Sequence, residues 1–293
     1  MQVPAPVEYH RASNVTDAVG LLDRLGDDAR VIAGGHSLLP MMKLRLADLE
    51  HVIDINDLSD DLGHITFSEN EVRIGAMVRH RELLESTELN RYFPIFGDAE
   101  RVIADPVVRN RGTIGGSLCQ ADPSEDLTAV CTTLDASCLI RGQDGERLVT
   151  MTDFYRGPYE TAVGQGEILT EIRIPIRPHG SSSYSKVERR AGDWAVASSG
   201  AAVWMSDGVI DDVRVGLAAV GPNTTGIPAI GEALQGAEPS EELYAQAGRI
   251  ASENCDPSTD ARGSADYKRH LVGELTRRSL RNSVERIRAQ TWS

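Results

Sequence analysis

Ala33-Gly34-Gly35-His36-Ser37 is the stretch on which the reading of this chain turns, and Thr113-Ile114-Gly115-Gly116-Ser117 is its counterpart further along. Each follows an apolar or turn-forming segment and precedes helix-forming residues. Paired glycines let backbone N–H groups come close to a ligand, and the start of the next helix favours an anion. Two such turns in one domain can hold the two phosphates of a pyrophosphate from both sides. Neither turn is G-x-G-x-x-G or G-x-x-x-x-G-K-[ST], so the site is neither Rossmann nor P-loop. The spacing points to a dinucleotide site of another class. A plain strand-to-helix junction is the competing reading of the first turn taken alone, and the second turn weighs against it.

Outward from these turns, Asn14, Thr16 and Asp17 offer helix-start chemistry, and Ala18, Val19, Leu21, Leu22 and Leu25 follow at helical spacing. Arg30–Ala33 reads as a strand running into the first glycine pair. Ser37 reads as the N-cap of a helix continuing to Leu49, with Pro40 in its first turn, and His51–Ile55 as the next strand. Residues 1–55 thus predict a β-α-β-α-β unit. Residues 56–177 predict a second unit. It has a hairpin of Ile65–Phe67 with Val72–Ile74, helices around Arg81–Glu85, Arg91–Ile103 and Ser124–Leu134, and strands around Ser137–Arg141, Arg147–Thr150 and Leu169–Pro175. Arg177-Pro178-His179-Gly180-Ser181-Ser182-Ser183 reads as a linker. Residues 178–293 then predict a separate α+β domain. In it Ala195–Met205 and Val209–Ala219 are strands about a Ser206-Asp207-Gly208 turn, and Ser240–Asn254 and Ala265–Ala289 are helices on one face of the sheet.

Of the 293 residues, 41% are hydrophobic and 25% charged, which suits a globular protein of two domains. A formal net charge of −14 argues against nucleic acid as a partner. No apolar run approaches the ~20 residues of a membrane span, and MQVPAPVEYHRAS lacks the positive-then-apolar pattern of a signal peptide. Cys119, Cys131, Cys138 and Cys255 form no C-x-x-C pair, so no cysteine-held zinc or iron–sulfur cluster is expected in this chain. Scattered thiols indicate a reducing cytoplasm, and all four read as buried small hydrophobes.

Asp122, Glu125 and Asp126 stand at the start of the helix after the second turn. A carboxylate there can accept a ribose hydroxyl or simply cap the helix. His36 can touch a phosphate or a ring edge, or cap a helix. No Ser/His/Asp constellation and no H-E-x-x-H spacing is present, so neither catalytic acid–base residues nor metal ligands are expected. In Lys186-Val187-Glu188-Arg189-Arg190-Ala191-Gly192-Asp193-Trp194, a cation can stabilise a reduced, anionic flavin ring and Trp194 can stack on a planar one. A solvated strand end is the alternative. Arg277, Arg278, Arg281, Arg286 and Arg288 read as a solvated helix face or a docking surface for another subunit.

AGGHS at 33–37 and TIGG at 113–116 resemble the two FAD pyrophosphate motifs of the flavoprotein subunits of molybdenum hydroxylases. That is the xanthine dehydrogenase and carbon monoxide dehydrogenase group, within the vanillyl-alcohol-oxidase-type FAD fold. AGGHSLLPMMKLRLADLEHVIDI, IADPVVRNRGTIGGSLCQADPSEDL, RRAGDWAVAS and RGSADYKRHLVGELTRRSL are similar to segments of carbon monoxide dehydrogenase medium subunits, and the likeness spans nearly the whole chain. The resemblance implies an α+β fold: an FAD-binding domain of two α/β subdomains (1–55 and 56–177), then a C-terminal domain (178–293) with a three-stranded antiparallel sheet and a helical bundle. It implies that Gly34, Gly35, His36, Ser37, Gly115 and Gly116 form the pyrophosphate loops. Ile32 and Ala33 would form the lead-in strand, and Thr113 and Ser117 would make polar contacts in the second loop. Asp126 would be a carboxylate on the ribose or adenosine side, Lys186 would lie near the flavin pyrimidine edge, and Trp194 would cover the isoalloxazine face. Relatives carry Tyr, Phe or Ile at the Trp194 position and some carry Asn at the Ser117 position.

The same resemblance implies partners: a small subunit with two [2Fe–2S] clusters and a large subunit with a molybdenum–copper cofactor, arranged as a dimer of heterotrimers. Electrons from carbon monoxide would reach FAD on this chain and leave to an acceptor such as a quinone, at the cytoplasmic membrane face. Another large-subunit substrate (a purine, an aldehyde or an aromatic heterocycle), a self-contained FAD oxidoreductase and a non-redox anion-binding scaffold are the alternatives.

Overall fold

The computed structural model describes residues 3–222 and 225–290, so the outermost ends of the expected domains lie outside it. The chain opens with β1 (Glu8–Arg11), α1 (Val15–Leu25), β2 (Ala29–Ile32), α2 (Leu38–Lys43) and β3 (His51–Asp54). The strands form a parallel sheet in the order β1-β3-β2. Asn14 caps α1 by accepting from the Asp17 N–H. The apolar face of α1, including Ala18 and Leu22, packs with Ala29, Ile53 and Ile55. Helix α2 is shorter than the sequence suggested. It ends at Lys43, Arg45 turns back with φ 57°, and the Leu46 N–H bonds to the Met41 carbonyl. Leu44 and Leu46 stay exposed, so no packed face sustains another helical turn. Ser37 sits at the N-cap position, but its side chain makes no capping bond.

The second unit runs α3 (Ser59–Leu62), β4 (Ile65–Phe67), β5 (Glu71–Gly75), α4 (His80–Glu85), α5 (Thr87–Tyr92), α6 (Pro94–Val102), α7 (Pro106–Arg109), α8 (Ile114–Gln120) and α9 (Asp126–Thr133). It continues with β6 (Ser137–Gly142), β7 (Gly145–Thr150), α10 (Met151–Phe154), β8 (Tyr155–Gly157), β9 (Glu160–Thr161) and β10 (Ile168–Pro175). An antiparallel sheet in the order β4-β5-β10-β6-β7 carries Ile74, Ile140 and Ile172 into one core with Phe96, Leu118, Leu127 and Phe154. The helical run expected from Arg91 to Ile103 is interrupted because Pro94 ends one helix and begins the next.

The third unit comprises β11 (Gly180–Val187), β12 (Ala197–Ser206), β13 (Val209–Ala218), β14 (Thr225–Gly226), α11 (Pro228–Leu234), α12 (Glu241–Glu253) and α13 (Ala265–Gln290). Its antiparallel sheet is β11-β12-β13, as expected, extended by the two residues of β14. Asp207 (φ 51°) and Gly208 (φ 85°) make the tight hairpin turn that the sequence announces.

The serine run is not a linker. Ser181, Ser182 and Ser183 are buried within β11, and the Ser183 hydroxyl donates to the Ser279 carbonyl of α13. The sheet is covered on both sides. Ala201 and Val203 pack with Val272 and Leu280 of α13, while their alternates Ala202 and Trp204 join the core of the second unit. Arg286 of α13 crosses to Asp98 of α6 with bonds of 2.7 and 2.8 Å, so one arginine of the last helix fastens the third unit to the second. Arg281 bonds to Glu241 within the third unit. Of the thiols, Cys131 and Cys138 are buried, Cys255 is half-buried and Cys119 is exposed, which departs from a uniformly buried set. Among the described residues no helix is long and apolar enough to cross a membrane.

Candidate cofactor site

The first glycine loop leaves the C-terminal end of β2 and enters α2. Gly35 has φ +79°, a conformation that glycine adopts without strain. A Cβ on Gly34 would overlap the Arg111 carbonyl and the Gly112 Cα, so the first loop lies directly against the residues that lead into the second. Among the described residues, the backbone N–H groups of Gly34, Gly35, His36, Ser37 and Leu38 make no hydrogen bond within the chain. The next bonds run from Leu39 to the Gly35 carbonyl and from Met41 to the Ser37 carbonyl. Ile32 and Ala33 are half-buried, and the His36 side chain is exposed.

The second loop is built into the fold. Thr113 is buried, and its hydroxyl accepts from the Gly116 N–H at 3.0 Å as the N-cap of α8. The Gly115 N–H bonds to the Ala76 carbonyl at 2.9 Å, and a Cβ there would sit 2.6 Å from both the Ala76 Cβ and its oxygen. Gly116 is exposed and Ser117 half-buried.

Asn56 joins the two loops. Its Nδ2 donates to the Ala33 carbonyl at 2.8 Å, while its Oδ1 accepts from Arg79 at 2.9 Å and Arg111 at 3.3 Å. Arg79 also donates to the Arg111 carbonyl. Burial, with the neighbouring Arg111 charge, holds the Arg79 guanidinium below its ordinary value. Cationic side chains and uncommitted backbone donors thus converge where the loops meet, which suits a diphosphate. Neither Asn56 nor the two arginines stood out in the sequence. They come from three separate segments, and only the fold brings them together.

Beneath the second loop lies a buried polar network. His80 Nδ1 is 3.0 and 3.2 Å from the Glu100 oxygens, and its Nε2 is 3.1 Å from the Ser117 hydroxyl. Burial alone would depress the His80 imidazole, but the carboxylates of Glu100 above all, with Glu125 and Asp126, more than offset this and raise it. Burial raises Glu100, with His80 opposing. Burial pushes Glu125 up to about 7, with His80 opposing and Asp126 reinforcing.

Asp126 and Lys186 are brought together, but onto each other. Asp126 Oδ2 accepts from Lys186 Nζ at 2.8 Å, and its Oδ1 accepts from the Tyr184 hydroxyl. Lys186 also donates to the Val102 carbonyl at 3.1 Å, and its side chain is only 2% exposed. The structure pairs the two with each other, and Glu188 Oε2 lies a further 3.4 Å from the Lys186 ammonium. The chain then turns through Arg189–Asp193, which line an open cavity of ≈ 530 Å³. Gly192 (φ +76°) rests against the Ala104 carbonyl, just before α7 and the second loop. Trp194 beside this turn is 40% exposed.

Comparison with known proteins identifies the family. Residues 5–177 match the family described as the FAD binding domain in molybdopterin dehydrogenase, and residues 182–283 match the CO dehydrogenase flavoprotein C-terminal domain. The carbon monoxide dehydrogenase medium chain of Afipia carboxidovorans is 38% identical over 98% of this chain and 99% of its own length. The glyceraldehyde dehydrogenase medium chain of Sulfolobus acidocaldarius is 34% identical over 95% of this chain and 98% of its own. The solved structure of carbon monoxide dehydrogenase from Hydrogenophaga pseudoflava that lacks the Mo-pyranopterin moiety superimposes with a TM-score of 0.94 at 38% identity, covering 97% of this chain and 99% of its counterpart. With uncommitted donors on one loop, cationic side chains at the junction and glycines where a Cβ would collide, the chain belongs to the FAD-binding medium-subunit family of carbon monoxide dehydrogenase and related molybdenum hydroxylases.

Proposed function

We propose that this chain is the electron-transfer flavoprotein subunit of a complex that oxidises carbon monoxide. The observation that supports it most is the apposition of the first loop's free N–H donors to the second loop at Gly34. Gly34, Gly35, His36 and Ser37 would hold one side of the FAD pyrophosphate, with Ile32 and Ala33 setting the approach. Thr113, Gly115, Gly116 and Ser117 would shape the other side. Arg79 and Arg111, oriented by Asn56, would add positive charge at the same end. Trp194 would cover the flavin ring over the Arg189–Asp193 turn. The Asp126–Lys186 pair would act by fixing α9 and the end of β11 beneath it. When bound, FAD supplies the redox chemistry of the subunit. The protein groups bind it, orient it and exclude water, and no acid–base residue of this chain is assigned.

In this reading a small partner subunit with two [2Fe–2S] clusters delivers electrons from a molybdenum–copper cofactor on a large partner subunit. The assembly is a dimer of heterotrimers in the cytoplasm, and a quinone at the inner membrane face is the acceptor. A second reading keeps the subunit and changes the large partner's substrate. The 34% identity to a glyceraldehyde dehydrogenase medium chain favours it over a stand-alone enzyme. One experiment separates the two. Carbon monoxide is added to the native complex, purified through this chain, while its visible spectrum is followed. Bleaching of flavin and iron–sulfur bands is the expected result. Bands that respond to an aldehyde or a purine but not to carbon monoxide would select the second reading.

A further inference from the structure

Spacing along the sequence gives no metal site, yet pairing of β1 with β3 assembles three ligand-bearing side chains. Glu8 and His10 alternate onto one side of β1, and Glu8 stands opposite His51 of β3 in the parallel register. His10 Nε2 is 3.2 Å from His51 Nδ1. Glu8 Oε2 is 3.5 Å from that same Nδ1 and 3.9 Å from that same Nε2. All three atoms therefore form a single small triangle, with both imidazoles half-buried and the carboxylate exposed.

We propose that Glu8, His10 and His51 form a binding site for a divalent first-row transition metal, zinc being the type case. A point equidistant from the three atoms lies about 2.1 Å from each, the length of a Zn–N or Zn–O bond. Two imidazoles and a carboxylate suit zinc, cobalt or nickel better than calcium or magnesium, which prefer all-oxygen shells. The absence of a thiolate disfavours copper(I). Two ring nitrogens this close must otherwise share one proton. A carboxylate facing both nitrogens at once supplies the negative charge that a cation in the proton's place would need.

The bound ion would cross-link β1 to β3. Strand β1 is an edge strand held by only four residue pairs. β3 also pairs with β2, which delivers the first glycine loop. The site is separate from that loop, so its occupancy is read independently of FAD.

The full chain, freed of metal with a chelator, is titrated with Zn²⁺ by calorimetry, and with Co²⁺ while the visible spectrum is recorded. The expected result is one tight site giving the intense visible bands of low-coordinate cobalt. His10→Ala and His51→Ala should each weaken it by about 100-fold and Glu8→Gln by about 10-fold, with far-UV circular dichroism unchanged. His270→Ala, at an exposed histidine elsewhere, should leave it intact. A wild-type chain that binds neither metal, or a site that persists in both His10→Ala and His51→Ala, would overturn the proposal. Should His51→Ala disturb the sheet, His51→Gln keeps the polar contact and should still lose the metal.

Discussion

The two glycine loops look alike as sequence and differ as structure. Ala33–Ser37 sits at the surface with a run of backbone donors that bond to nothing among the described residues. In Thr113–Ser117, by contrast, Gly115 is pinned to Ala76, Gly116 is capped by Thr113, and the Ser117 hydroxyl reaches the buried His80. Glycine permits a close backbone approach in both, Gly34 to Arg111 and Gly115 to Ala76, but the first loop leaves consecutive N–H groups uncommitted while the second bonds its own. With FAD bound as proposed, the first loop would supply affinity and the second the rigidity against which it is exerted.

The contrast makes substitutions at the two loops behave differently. The largest effect is expected at Gly115. Gly115→Val places a side chain onto Ala76 and should cost about 3 kcal/mol of stability, with flavin lost as a consequence. Urea unfolding of the full chain checks this, and an unchanged midpoint would remove the distinction between the loops.

Next in size is a pH effect from the network under the second loop. Glu125 titrates at about 7 in the folded chain against an ordinary 4.5, so the folded state holds that proton more tightly. Its contribution is complete below pH 4.5 and is lost as pH rises toward 7. His80, also raised, loses its contribution as pH climbs above its ordinary 6.5. Stability should therefore fall across this window. Glu125→Gln should reduce the fall by about 3 kcal/mol, measured as unfolding free energy at a series of pH values. A parallel decline in mutant and wild type would contradict the buried, neutral Glu125.

At the first loop, Gly34→Ala should weaken FAD about 100-fold, or about 2.7 kcal/mol, and lower the unfolding midpoint by less than Gly115→Val does. The added methyl must push a surface loop away from Arg111. Flavin fluorescence titration beside urea unfolding separates the two quantities. The smallest effect is expected at the tie between the loops. Asn56→Ala removes the bond to Ala33 and the acceptor for Arg79 and Arg111, and should weaken FAD about 10-fold, or about 1.4 kcal/mol.

Much of this was legible in the chain because it is contiguous. Both glycine loops, the Asp207-Gly208 turn and the helices after Ser240 and Ser264 follow from local chemistry. The rest depends on what the fold juxtaposes. Ser181–Ser183 looks like a linker by composition but is buried strand, because it pairs with β12 and the Ser183 hydroxyl finds the Ser279 carbonyl of α13. Asp126 and Lys186 each look like a lone charged ligand, and their pairing appears only when β11 packs beside α9. Asn56, Arg79, His80 and Glu100 carry no motif at all. Their signal is convergence in space of side chains far apart in sequence, to which a single-sequence pattern is blind.

The most direct measurement is the FAD released on denaturing the native complex, counted against this chain. A cofactor seated between the two loops predicts one FAD per chain, lost in Gly34→Ala while the chain stays folded and assembled. A complex that contains this chain intact yet releases no FAD, or that keeps full FAD in Gly34→Ala, would contradict it.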